Sequence, residues 1–541
     1  MDSARREILE LSRRGVLRGA VAAAALAAVS PVVARRVLAA PVFHRYPFRL
    51  GVASGEPAPD GVVIWTRLAP DPLAGGGMPA AAVEVSWEVA EDAAMRRPVA
   101  RGVALARPEL GHSVHVEVGG LQPARTYHYR FRAGREASPI GRTRTAPAPD
   151  GMPARLRFAS AGCQHLEHGH FTLWRDVAEQ EELDFVFHSG DYVYEYRARE
   201  NQPGSAPAVR QHQGDEIHTL DDYRNRYAQY RLDPDLAAAH AAHPFLVSFD
   251  DHEVDNNWAG GESEEDGSAR FPIAVPPEIF ALRMQIAFQA WYEHMPLRRS
   301  ALPRGPSILA HRRLRYGRLA DIHVLDTRQY RTDQPCDDVT GPPCAEVASE
   351  AATMLGAAQE RWLLDNLGDR HATWQVLAQQ VMVMPRDLSP PGGDEARGRV
   401  ISMDKWDAYP AARRRLLRGV AERGVRNAVV LTGDLHNAWA GVVHAEDADP
   451  RGPGLMTEFC ASSVTSNGDG SEEVAAAARI LSRNPHIAFH NNRRGYCLHE
   501  ARADRMEVAF RAVEYVTRPG APVAEKARLV VPEGRAEVVR G

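Results

Sequence analysis

The 541-residue chain is 44% hydrophobic and 25% charged, enough to build more than one packed domain, which excludes a disordered or fibrous polymer. Lys+Arg number 65 against 70 Asp+Glu, a net charge of −5, so no long-range positive field gathers nucleic acid or anionic lipid. Five cysteines are too few for a disulfide-framework protein.

The first 40 residues read as a twin-arginine export signal. Ser12-Arg13-Arg14-Gly15-Val16-Leu17-Arg18 precedes a small, weakly apolar run from Gly19 to Ala34, and a small-residue cleavage site fits near Leu38-Ala39-Ala40. Half of the run is alanine and it is interrupted by Ser30 and Pro31, whereas a membrane span needs about 20 strongly apolar residues. The expectations are recognition by the twin-arginine export machinery, a periplasmic or secreted location, and no membrane span in the mature protein.

Residues 41–147 read as all-β. Period-two alternation recurs in Val83–Val89, Ser113–Val118 and Thr126–Phe131, with Gly75-Gly76-Gly77 and Gly119-Gly120 as turns, and such spacing predicts a β-sandwich. The corner Leu121–Tyr129 is similar to that of fibronectin-type modules, and Ala146–Gly151 reads as a linker. From residue 154 the pattern changes to short buried strands, each running into a polar cluster. Arg155–Ala159 leads to Ser160–His165, Phe185–Phe187 to His188–Glu195, Phe245–Phe249 to Asp250–Glu253, and Ala428–Leu431 to Thr432–Asn437. Helical periodicity lies between them over Phe171–Glu181, Ile279–Tyr292, Ala357–Leu367 and Ala411–Arg423. Strand ends are where α/β proteins build their sites.

The clusters contribute Cys163, Asp191, Tyr194, Asp251, His252, Asn256, Asp434 and His436. In Gly190-Asp191-Tyr192-Val193-Tyr194 the glycine permits a sharp turn, the aspartate can bridge two cations, and the phenol three residues on can return to the same point. Asp434 and His436 alternate, so a carboxylate and an imidazole can face one centre. Thiolate, phenolate, carboxylate and imidazole together suit a trivalent or borderline metal; an all-oxygen set suits calcium. A serine nucleophile at Ser160 or Ser189 lacks a Gly-x-Ser-x-Gly elbow, and a cysteine phosphatase would need an arginine where Gly169 stands. A surface-binding protein with a decayed α/β domain is the alternative from another class, and the complete set of ligand types argues against it. His165, His168 and His170 read as loop polarity, and the acidic run Glu262–Asp266 as a solvated loop. Cys336 and Cys344 flank a Pro/Gly loop and, after export, are expected to form a disulfide; Cys460 and Cys497 are expected to stay buried thiols.

The clusters in this order, with Gly51–Pro57, Val63–Pro70, Gln289–Pro296, Leu325–Arg331 and Asn491–Tyr496, resemble the alkaline phosphatase D (PhoD) family of the metallophosphatase superfamily over nearly the whole chain. The resemblance implies an α/β protein: a signal at 1–40, an N-terminal all-β sandwich of fibronectin or Ig type at 41–147, a metallophosphatase-type α/β/β/α sandwich at 154–517, and a tail at 518–541. The tail after Val516, with Pro519, Pro522 and Pro532, reads as partly irregular. The resemblance further implies a phosphomonoesterase and phosphodiesterase with Fe3+ and Ca2+. Cys163, Asp191, Tyr194 and His436 would surround the iron, with Asp191 bridging. Asp434 would hold calcium with Asp251 and Asn256, and which residue of that segment is the ligand stays open. A metal-activated hydroxide would attack phosphorus, His252 or His436 would pass a proton to the leaving alkoxide, and Arg283 would clamp the phosphate ester. Glu56, Cys460 and Ala438 depart from the family pattern, none at an expected ligand.

Overall fold

The computed structural model describes residues 41–199, 208–389, 399–445, 452–472 and 474–541, so the export segment at 1–40 lies outside the described residues. Two large sheets face each other. In the ten-stranded sheet, the parallel neighbours Leu156–Ala161, Phe185–His188 and Pro244–Val247 occupy the middle. In the eight-stranded sheet, Ala320–Val324, Trp374–Ala378, Ala428–Thr432 and Gly454–Cys460 run parallel.

The layering follows from side-chain alternation along each strand. Leu156, Phe158, Phe185, Phe187 and Leu246 point inward to meet Ile322, Trp374, Val376, Val429 and Leu431 of the opposite sheet in one dry core. The alternate residues Ala159, Val186, Phe245 and Val247 turn to the other face, where helices Leu173–Glu179, Leu220–Arg231, Pro234–Ala242 and Pro277–His294 cover them. Leu377 and Val430 likewise turn outward, under helices Gly356–Leu367 and Pro410–Glu422. Strands buried on both faces read as continuous apolar runs, which is how they appear in the sequence. The order is the expected α/β/β/α sandwich. The helices expected at 171–181, 279–292, 357–367 and 411–423 are all present within two residues at each end. Their starts carry local signals: Thr219 and Asp222 form a reciprocal capping box, and Pro234, Pro277 and Pro410 occupy first-turn positions where a missing N–H costs nothing.

The N-terminal segment packs Val52, Val62, Ile64, Val114 and Val116 against Val85, Val89, Tyr127, Tyr129 and Phe131. Only one of its two layers is a separate sheet, formed by Pro98–Ala106, Val83–Ala90, Thr126–Ala133 and short partners. The other layer, Val52–Ala58, Gly61–Arg67 and Ser113–Val118, continues the ten-stranded sheet, with Ser54 and Gly55 in parallel register with Pro244 and Phe245. The tail corrects the sequence reading. Val523–Pro532 is a ten-residue strand along Arg505–Val513, closed by Val539–Arg540, and only its ends coincide with the prolines. Its alternation is weak because one face is exposed: Leu529 and Val531 reach the core while Glu525 and Lys526 do not.

Cys336 and Cys344 are joined in a disulfide, and Cys460 and Cys497 are buried free thiols. Among the described residues no helix is long and apolar enough to cross a membrane.

Candidate metal centre

The carboxyl ends of both sheets meet at one point. Gly162 bridges to Ser463, so the loop after Leu156–Ala161 is tied to the turn after Gly454–Cys460 in the opposite sheet. Around this junction Cys163, Asp191, Asp434 and His436 hold φ of +56°, +54°, +62° and +58°. The left-handed region costs a residue with a side chain about 1–3 kcal/mol and persists only where the surroundings over-determine it. Gly190, at φ +119°, is required: a Cβ there would lie 2.4 Å from the Asp250 nitrogen. Glu253 then staples the two loops, accepting the N–H groups of Asp191 (3.1 Å), Tyr192 (2.7 Å) and Asp250 (2.9 Å).

Three overlapping groups of donor atoms result. Cys163, Asp191 and His436 present ligand atoms within 4.8 Å of one another; so do Asp191, Asp251 and His252, and so do Asp250, Asp251 and Asp434. Tyr194 joins the first group, its hydroxyl donating to Asp191 Oδ2 at 2.9 Å and lying 3.3 Å from His436 Nε2. Ser466 positions this side: its Oγ sits 2.6 Å from the Tyr194 hydroxyl and donates to the Cys163 carbonyl at 2.8 Å. Arg494 donates to the carbonyls of His436 and Ser466 and to Ser463 Oγ, fixing the turn that carries His436.

The electrostatics are those of a cation site. Asp191 is buried, and its Oδ1 has no hydrogen-bond partner, a costly state for a carboxylate. Burial pushes its pKa well above the usual carboxylate range, and Asp251, Asp250 and Glu253 add to this against the pull of His252. Burial also raises the Cys163 thiol, with Asp191 and Asp434 contributing. His436 is pushed down to about 3, chiefly by burial and then by His252 and Arg494, which leaves the neutral imidazole that ligation needs. On the other side Asp251 is held well below its ordinary range, because His252 and Arg328 outweigh burial. Soft and hard donors around Cys163 and carboxylates alone around Asp434 fit two kinds of ion.

The remaining expected residues sit differently. His252 bonds through Nδ1 to Glu195 Oε2 at 2.8 Å, and against the effect of burial Glu195, Asp251 and Asp191 hold its pKa well above the ordinary value. Asn256 gives its backbone N–H to Glu195 at 3.0 Å, while its side chain bonds to Glu264. Arg283 is not brought to the ligand atoms: it pairs with Asp255 at 3.0 Å and Glu216 at 2.9 Å and donates to Tyr223. Ser160 bonds to His499 deep in the core, with both side chains buried, so this pair has no access to substrate.

Sequence reading missed the basic side of the centre. Arg328 is fully buried and binds Asp250 at 2.6 Å and Asp404 at 2.8 Å, with Asp251 at 3.7 Å and Asp434 at 3.9 Å. Lys405 contacts both Asp404 and Asp434. Arg328 lies in the stretch Leu325–Arg331 that contributes to the family resemblance, where it was legible as part of a motif without a role.

Comparison with known proteins agrees with this architecture. The model of the PhoD-like phosphatase matches residues 158–510, and that of the PhoD-like phosphatase N-terminal domain matches residues 33–147. Alkaline phosphatase D of Bacillus subtilis (strain 168) is 46% identical over 501 residues, 92% of this chain and 83% of the relative. A solved structure of PhoD superposes with a TM-score of 0.88 at 45% identity, covering 93% of both chains. Agreement in sequence, in fold and across both segments means that the chain belongs to the PhoD-like phosphatase family and is a phosphoesterase hydrolase.

Proposed function

We propose that the centre is metal-dependent and hydrolyses phosphomonoesters and phosphodiesters, with a ferric ion held by Cys163, Asp191, Tyr194 and His436 and calcium held by Asp251 and Asp434. The observation that carries this reading is the place of Asp191, whose carboxylate belongs both to the group with Cys163 and His436 and to the group with Asp251 and His252. Of the two residues left open in the sequence, we assign the calcium ligand to Asp251, because its carboxylate lies within the acidic group while the Asn256 side chain turns to Glu264. The cations would activate the attacking water near neutral pH and neutralise the phosphoryl oxygens.

The chain's own groups do the rest. Glu195 fixes His252 through Nδ1, so Nε2 is the nitrogen left to pass its proton to the departing alkoxide oxygen. His436 serves as a ligand, its Nε2 4.0 Å from Asp191 Oδ2. Arg283, expected as a phosphate clamp, holds Asp255 and thereby the 251–257 turn. Ser12–Arg18 would direct the chain through the twin-arginine machinery to the periplasm or beyond.

Metal analysis of the purified chain, together with hydrolysis of p-nitrophenyl phosphate and bis(p-nitrophenyl) phosphate, tests the reading. Stoichiometric iron, calcium dependence and loss of both activities in chelator are expected. Full rates on both esters after metals have been stripped would overturn it. Replacing Arg13 and Arg14 by Lys should retain the protein inside the cell, as fractionation would read.

A further inference from the structure

With Arg283 engaged elsewhere, the basic groups around the centre can be sorted by what their charges already meet. Arg328 and Lys405 are bound to Asp250, Asp404 and Asp434. Arg494 and Arg226 are spent on backbone carbonyls, those of His436, Ser466 and Asn492 for the first and Tyr194 and Tyr196 for the second. Arg494 Nε has no partner but is itself buried, and the paired donors of these four residues could meet an incoming anion only by breaking a buried contact, which costs several kcal/mol.

Arg386 differs. Its backbone N–H is tied to Asp407 Oδ2 at 3.0 Å, so the residue is anchored. Its guanidinium lies over the Trp439 ring, 5.3 Å from the centroid, and the residue as a whole is half-buried. Among the described residues no carboxylate pairs with it and no acceptor takes a hydrogen bond from it. Trp439 is itself fixed: it is buried, meets His490 in a tilted ring contact with centroids 4.1 Å apart, and gives its indole N–H to Asn437, the residue after the ligand His436. Asp407, at the base of Arg386, follows Lys405 by two residues, and Lys405 touches Asp434. Of the anionic groups that act on Arg386 through space, Asp407 is felt most, then Cys460, and Asp434 least. A planar cation laid on an aromatic face is pre-organised, and an arginine left with an open fork is suited to a tetrahedral oxyanion.

From this placement we infer that Arg386, on its Trp439 platform, is a specificity-determining residue that binds a phosphate oxygen of the substrate. The inference rests on the phosphoesterase reading of the same centre. The oxygen belongs either to the ester being cleaved or to a second phosphate group carried by the same substrate, and the two sources can be told apart.

The test compares Arg386→Gln and Arg386→Lys with the parent holoenzyme. Inorganic phosphate serves as the ligand in calorimetry and as the competitive inhibitor in assays. Substrates are p-nitrophenyl phosphate and fructose 1,6-bisphosphate, the latter followed by phosphate release. For Arg386→Gln, KM should rise about tenfold, about 1.4 kcal/mol, while kcat stays within about twofold and metal content is unchanged; Lys should restore part of the loss. A parallel rise in the phosphate Kd assigns the oxygen to the cleaved ester; a rise confined to the bisphosphate assigns it to the second group. Unchanged KM for both substrates and unchanged phosphate affinity would overturn the proposal. A parent enzyme active only with metals, beside such a silent variant, would sink the role of Arg386 alone, whereas a parent inactive on every ester would sink the wider reading. Phosphate calorimetry needs no turnover and reads the cleaved-ester source alone, whereas the second-group source is read from the KM for the bisphosphate.

Discussion

The two halves of the metal centre are held by different forces. Around Cys163, Tyr194 and His436 the chain supplies left-handed backbone and neutral hydrogen bonds: Ser466 holds the phenol and the Cys163 carbonyl, and Arg494 spends its charge on carbonyl oxygens. Around Asp250, Asp251 and Asp434 it supplies counter-charge, through Arg328 and Lys405. The first half is thus shaped sterically and left electrically open. The second is a salt-bridge lattice in which removing any partner strands a buried charge. Asp191 belongs to the first and shares a donor group with Asp251 of the second, and its uncompensated Oδ1 lies where they join.

That contrast can be broken most completely at the junction. Asp191→Ala should abolish iron loading and turnover together, a loss of at least about 10³ in kcat/KM, as metal analysis and steady-state kinetics would read. Normal iron content in this variant would contradict its sharing between the halves. His252→Ala removes the proposed proton donor, which lies outside the proposed iron group, and should lower kcat by about 10²–10⁴ while leaving iron in place. Arg328→Leu tests the lattice: deprived of their partner, Asp250 and Asp404 should cost about 3–5 kcal/mol of stability, visible as a lowered denaturation midpoint, and calcium affinity should fall more than iron content. If Arg328→Leu is as stable as the parent, the second half is not held by charge. The smallest effect is expected at Ser466→Ala, where loss of a neutral hydrogen-bonding hydroxyl should cost about 1 kcal/mol and, if Tyr194 ligates iron as proposed, shift the visible absorption of the holoenzyme without removing it. An unchanged spectrum would show that Ser466 does not orient Tyr194.

Much of the fold was legible because its signals are local. The apolar runs ending at Cys163, Asp191, Asp251 and Asp434 are short enough to read as buried strands, and the helices carry their own periodicity and capping residues. The tail was misread because Val523–Pro532 is a half-exposed strand with prolines near its ends, so neither alternation nor composition marks it. Nor does any local pattern reveal that Val52–Ala58 pairs with Pro244–Val247, strands separated by the rest of the N-terminal segment and by two further strands and three helices of the α/β part. Arg283 drew attention as an arginine near a motif; its engagement by Asp255 and Glu216 could be learned only from their position in space.

By itself the amino-acid order determined which donors exist and on which strand ends they stand, since residue chemistry and two- or 3.6-residue periodicity are properties of neighbours in the chain. It also determined the glycine before Asp191 that lets two loops touch. Only the tertiary structure decided which charges meet. Arg328 reaches Asp404 across 76 positions, and Trp439 lies beneath Arg386. Ion pairing and stacking act over a few ångströms whatever the separation along the chain, so the basic half of the centre appears only once both sheets have closed on each other.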